Sequence, residues 1–144
     1  MNCLSWNVKG LESPDRKYVV KCVLNSFNSV DLFMMQEIKA IGFLLDISLN
    51  FIWKDAIKFY SSHIRGKGGI VVLVNPKWGK LITNNGVSPY QRDIWFTMNI
   101  NNKQIGFCSI YAPNDTKDRI SLWNWLSALP DIPWFFGDFN MVES

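Results

Sequence analysis

Side chains that carry hard oxygen donors stand just after four short apolar runs. Ser5-Trp6-Asn7-Val8 closes the first, Gln36-Glu37 the second, Tyr111-Ala112-Pro113-Asn114 a third, and Gly137-Asp138-Phe139-Asn140 the last. Carboxylate, amide and phenol oxygens suit Mg²⁺, Mn²⁺ or Ca²⁺ and not zinc, which prefers His and Cys. Asn and Tyr also supply neutral hydrogen-bond donors, which can hold a phosphate without cancelling its charge. Taken singly, each residue has an ordinary explanation. Glu37 can be a solvated strand-end charge, Asn7 a turn residue, Tyr111 a buried aromatic, and Asn114 a turn or helix cap. Asp138 and Asn140 are sharper. A carboxylate directly after three aromatic residues and a glycine is costly to bury without a partner.

The elements that must position these side chains are readable from hydropathy. Met1 to Val8 is expected as a strand. Ser13 before Pro14 predicts a helix start, and Val19, Val20, Val23, Leu24 and Phe27 keep helical spacing, giving a helix from Pro14 to about Ser26. Val30 to Gln36 reads as a buried strand, Ile41 to Leu49 as a second helix, and Phe51 to Tyr60 as a strand with a loop. Gly69 to Val74 is a strong strand stopped by Asn75-Pro76. Three more follow at 80–87, 93–100 and 103–111, with Asn101-Asn102 as a hairpin turn signal. Asp115 or Thr116 can cap a third helix through Ile120, Trp123, Leu126 and Leu129, which Pro130 ends. Trp134 to Phe136 is a last buried strand. The order predicts an α+β or mixed-sheet α/β fold, with ligands gathered at strand ends.

A chain of 144 residues is enough for one domain, read as 1–144. The 48 % hydrophobic and 19 % charged shares exclude a disordered composition. Seven Trp and ten Phe are more aromatic residues than a domain this small usually needs, and aromatic runs favour buried strands. The net charge of +3 is compatible with a polyanionic partner without requiring one. Cys3, Cys22 and Cys108 match no zinc spacing, and each lies in an apolar run, so they are expected as buried, reduced thiols. That reading, with no secretory leader and no apolar run long enough for a membrane span, predicts an intracellular protein, nuclear or cytoplasmic, with no membrane partner.

Taken together and in order, Ser5-Trp6-Asn7-Val8, Gln36-Glu37, Gly68-Gly69-Ile70, Tyr111-Ala112-Pro113-Asn114 and Gly137-Asp138-Phe139-Asn140 resemble the motifs of endonuclease/exonuclease/phosphatase domains. That superfamily includes apurinic endonucleases and the endonuclease domain of LINE-type retrotransposons, and the strings SWNVKGL and GDFNMV are most similar to the plant retrotransposon branch. The resemblance covers essentially the whole chain. It implies a DNase I-like four-layer α/β sandwich, with two sheets face to face and helices outside. It also implies metal-assisted, in-line hydrolysis of a phosphodiester with Mg²⁺ or Mn²⁺ as cofactor and DNA as partner. Glu37 would bind the metal and Asn7 would support the metal and phosphate. Tyr111 would contact the phosphate. Asp138 would orient or deprotonate the attacking water, and Asn140 would hold a phosphate oxygen or help place that water. Asn114, Lys9, Arg65 and Lys67 would meet the phosphate or the nucleic acid.

Two departures shape the expectation. The family often carries an acidic residue two positions after the first Asn, where this chain has Lys9, expected to point outward. The family's later motifs, a Ser-Asp-His and a further Asp, have no counterpart, and the only histidine, His63, is expected as a surface loop residue. The chain is therefore expected to supply about the first half of the fold, one sheet plus its helices, and to be catalytically incomplete by itself. Strands such as Ile70 to Val74 and Trp134 to Phe136 would bare an apolar sheet face able to associate. Two alternatives stand beside this. One is an endonuclease made active when further sequence completes it. The other is a remnant that binds nucleic acid through Lys9, Arg16, Lys17, Arg65 and Lys67 without cutting.

Overall fold

Two strand–helix–strand units with parallel strands organise the molecule. The computed structural model describes residues 1–61, 68–129 and 134–139. In the first unit β1 (Cys3–Asn7) leads through α1 (Arg16–Asn25) to β2 (Leu32–Gln36), and the two strands pair in parallel with Asn7 opposite Gln36. In the second, β7 (Lys103–Tyr111) leads through α3 (Thr116–Ser127) to β8 (Trp134–Asp138), again in parallel, with Tyr111 opposite Asp138. Between them come α2 (Gly42–Trp53), β3 (Ile57–Tyr60), β4 (Ile70–Val74), a 3-10 turn (Pro76–Leu81), β5 (Ile82–Gly86) and β6 (Asp93–Ile100). One four-stranded sheet has the order β1-β2-β4-β3 and the other β5-β6-β7-β8.

Three buried clusters define four layers. Val20 and Leu24 of α1 and Leu45, Leu49 and Ile52 of α2 lie one helical face apart and pack on Phe33, Met35, Val71 and Leu73 of the first sheet. The opposite pleat of that sheet, with Leu32, Met34, Ile70, Val72 and Val74, meets Ile94, Phe96, Met98 and Phe107 of the second. Leu122 and Leu126 of α3 then cover Cys108 and Ile110 on the outer face of the second sheet. β2 and β4 are buried on both faces and read as continuous apolar runs, as central strands do. Each large side chain so buried stabilises the fold by about 1.5–3 kcal/mol.

The α+β class and the layered sandwich agree with the sequence reading. The expectation of one sheet does not. The meander β5-β6-β7 closes onto Ile70–Val74 and buries it completely, so β4 bares no apolar face. At β8, an edge strand, Trp134 is 55 % and Phe135 40 % exposed, but as consecutive strand residues they point to opposite faces and do not form one bare apolar sheet face. The hairpin at Asn101-Asn102 forms with both residues at positive φ, as a tight primed turn needs.

Several local readings change. Asp15, not Ser13, precedes α1, and no side chain caps it. α2 runs on to Trp53, taking up Phe51, because Leu49 and Ile52 continue the buried stripe. Cys3 and Cys22 are exposed and only Cys108 is buried. Cys3 sits on an edge strand and Cys22 on the outer side of α1, where sequence neighbours are apolar but no layer covers the thiol. The third helix is capped as expected, with the Asp115 carboxylate accepting from the Asp118 N–H at 3.1 Å. Pro130 lies outside the described residues. No helix among the described residues is long and apolar enough to cross a membrane.

Candidate metal and phosphate site

The two parallel pairs end side by side, and this places the candidate residues. Asn7 is the last residue of β1, and Glu37 follows the last residue of β2. Tyr111 and Asp138 end β7 and β8. Asn7 Nδ2 donates to Asp138 Oδ2 at 3.0 Å, joining an edge strand of one sheet to an edge strand of the other. The Tyr111 hydroxyl donates to Glu37 Oε1 at 3.0 Å, also from sheet to sheet. Burial first, then the hydrogen bond and charge of Glu37, and also the charge of Asp138, push the Tyr111 phenol up, while the Arg92 guanidinium pulls it down. Tyr111 stands opposite Asp138 in the β7–β8 register, so the two sheet-to-sheet bonds bring Asn7, Glu37, Tyr111 and Asp138 to one end of the sandwich.

Local backbone conformation fixes these ends. Lys9 takes φ 54° and its N–H donates to Asn7 Oδ1 at 3.0 Å, which leaves the Asn7 amide N–H facing Asp138. Glu37 sits at φ 58° and Lys39 at φ 63°, left-handed values that cost a non-glycine residue some energy and turn the chain sharply after β2. The turn is pinned by Ile38 N–H to the Gly69 carbonyl at 3.2 Å and Lys39 N–H to the Gly68 carbonyl at 2.8 Å. Below it, buried Gln36 donates to Ser5 Oγ at 3.1 Å, holding β1 and β2 in register beneath the site. At β8, Gly137 has φ 135°, and an added Cβ would land on the Ile110 carbonyl. The Ala112 N–H then reaches the Asp138 carbonyl at 2.7 Å and locks the strand end.

Other candidates lie apart or outside the description. Lys9 is exposed, in agreement with the outward reading. Asn114 is exposed at the start of the third helix, where its carbonyl accepts from Arg119 Nη1 at 2.5 Å, so its observed contact is with the helix end. Asn140, Arg65, Lys67 and His63 lie outside the described residues. Arg92 was missed by sequence reasoning. Its guanidinium carbon lies over the Tyr111 ring, 5.3 Å from the centroid, and its carbonyl accepts from the Tyr111 N–H at 2.9 Å. The only signal in the sequence is its place one residue before a strand.

The donor set fits a hard divalent cation. Among the described residues no three His, Cys, Asp or Glu side chains converge, so a cation here would draw on few protein oxygens. Mg²⁺ tolerates that, since it keeps several waters and takes substrate oxygens.

A scan against protein-family models found no match, and no characterised protein matches by sequence. Solved structures do match in fold. TDP2 from C. elegans has a TM-score of 0.68 at 16% identity, over 97% of this chain and 48% of that one. An endonuclease/exonuclease/phosphatase family protein from Leptotrichia buccalis C-1013-b has a TM-score of 0.67 at 20% identity, over 98% of this chain and 67% of that one. D. rerio TDP2 complexed with single strand DNA product has a TM-score of 0.63 at 17% identity, over 98% and 61%. The fold is thus the layered α/β sandwich that these proteins share. The chain spans about half to two-thirds of their length.

Proposed function

We propose that this chain is the front part of a divalent-metal-dependent phosphodiester hydrolase acting on nucleic acid. The observation that carries the reading is that Glu37 and Asp138 stand at the same end of the sandwich, each held by a hydrogen bond from the opposite sheet, Glu37 by Tyr111 and Asp138 by Asn7. The single-stranded DNA bound to a neighbour of the same fold supports a nucleic-acid substrate. The strings around Asn7 and Asp138 support an origin in a retrotransposon endonuclease.

In this reading Glu37, with support from Asn7, holds Mg²⁺ or Mn²⁺. The ion's contribution when bound is to stabilise charge on the transferring phosphoryl group. Asp138, oriented by the Asn7 amide, accepts the proton of the attacking water. The Tyr111 phenol stays protonated, and its single O–H, which meets Glu37 in the free chain, turns to a phosphate oxygen when substrate enters. Asn140 helps hold that oxygen. The chain lacks the Ser-Asp-His motif, whose histidine would share the developing charge. The isolated 144 residues are therefore expected to hydrolyse DNA very slowly.

Two measurements test this. Mn²⁺ should raise the melting temperature of the wild-type chain and do so less in Glu37→Gln; equal shifts would remove Glu37 from the ligand set. Supercoiled plasmid with Mg²⁺ should stay uncut. Robust nicking that vanishes in Asp138→Ala would overturn the incompleteness, though not the site.

A further inference from the structure

We propose that Arg92 is the oxyanion anchor of this site, gripping a phosphate group of the nucleic-acid strand; the inference rests on the phosphodiesterase reading above. A site built from two carboxylates and a phenol repels the phosphate it must hold. A divalent cation offsets part of that repulsion, and a fixed cation beside it offsets more. Among the described residues around the site, Arg92 has its guanidinium directly against one of the functional side chains. The guanidinium carbon sits 5.3 Å from the centre of the Tyr111 ring.

The placement is built by the backbone. Arg92 comes immediately before β6, whose first residue Asp93 pairs with Ile110, so its main chain is level with Tyr111. The Tyr111 N–H to Arg92 carbonyl bond of 2.9 Å fixes that level. Gly68 forms the other side. A Cβ built there would lie 3.7 Å from Tyr111 Cε1 and 4.0 Å from Arg92 Nη1, so glycine backbone, guanidinium and phenol edge adjoin. The Gly68 carbonyl also accepts from Lys39 N–H, which ties this wall to the turn carrying Glu37. A guanidinium resting on an aromatic ring keeps its N–H donors in its own plane, where a phosphate can take two of them. The partly buried position makes such a bond stronger than one at an open surface.

The alternative is a purely structural Arg92 that only braces the Tyr111 ring. Fluorescence anisotropy with a labelled single-stranded oligothymidylate, in EDTA at low salt, separates the two. Arg92→Met keeps an apolar stem over the ring and removes the charge. It should weaken binding about tenfold and reduce the salt slope by about one. Arg92→Lys should recover part of the affinity, and the melting temperature of both variants should stay close to wild type. Unchanged affinity in Arg92→Met overturns the proposal, as does a wild-type chain that does not bind the oligonucleotide. Because no metal is present, loss of metal binding or cleavage would count against the hydrolase reading while Arg92-dependent binding persisted.

Discussion

Asn7 Nδ2 and Asp138 Oδ2 lie 3.0 Å apart although 131 positions separate them in the chain. The bond closes the sandwich at the end where the site opens, because it joins the two edge strands that carry the outermost candidates. A double-mutant cycle on Asn7→Ala and Asp138→Ala measures it. The coupling is expected at about 1.5 kcal/mol by urea unfolding, the low end for a hydrogen bond to a charged group because this one is only partly buried. Additive single effects would mean that the two strand ends are held independently.

Gly137 sets where Asp138 points. Its φ of 135° lies outside the range of other residues, and any Cβ collides with the Ile110 carbonyl of the paired strand. Gly137→Ala is expected to cost about 2 kcal/mol or more and to loosen β8. Amide exchange at Ala112, whose N–H bonds the Asp138 carbonyl, should speed up more than exchange in β2. Equal changes in both strands would point to global destabilisation alone.

Asp93 gives the fold a pH dependence. Its carboxylate is fully buried, Oδ1 accepts from Ser88 N–H at 3.3 Å, and Oδ2 has no hydrogen-bond partner among the described residues. Burial pushes it above the usual carboxylate range, and the Ser88 contacts offset only part of this. The unfolded chain therefore loses its proton at lower pH than the folded one. Stability contributed here is present below the ordinary aspartate pKa and falls as pH rises toward the folded value. Asp93→Asn should raise the melting temperature near pH 7 and change it little near pH 3. A uniform shift across that range would show that ionisation is not the cause.

Asp31 works in the opposite direction. Burial alone would raise it, but Trp78 Nε1 at 2.8 Å, Asn2 N–H at 2.7 Å and Lys77 Nζ at 3.0 Å together lower it. Its stabilisation is present above the ordinary aspartate pKa and is lost as pH falls through the lower, folded one. Asp31→Asn should cost about 1.5–3 kcal/mol near pH 7, and less in acid. A loss of the same size at pH 7 and pH 3 would assign the effect to packing around Trp78.

Much of the site was legible because its parts are local. A strand end is marked by the switch from apolar to polar residues, so Asn7, Glu37, Tyr111 and Asp138 could be named from four short strings. The second sheet was harder to see. β4 and β6 are each apolar enough to be central strands, and hydropathy does not say whether two such strands pair edge to edge or stack face to face. Cys3 and Cys22 went wrong for a related reason. An apolar neighbourhood in sequence became an exposed edge or an outer helix side once the layers formed. Arg92 had only its place before a strand as a local mark, since it comes beside Tyr111 through the strand pairing that sets the two level.

The amino-acid order by itself determined the elements, the helical faces and the residue types at each strand end, because those follow from periodicity, capping and turn chemistry over a few residues. Only the tertiary structure decided which strand ends meet. Parallel pairing of β1 with β2 and of β7 with β8 depends on crossovers through α1 and α3, and on which pleats of the two sheets bury each other. Those are long-range choices. They bring four separate oxygen-bearing strand ends together, with the Arg92 guanidinium over the Tyr111 ring.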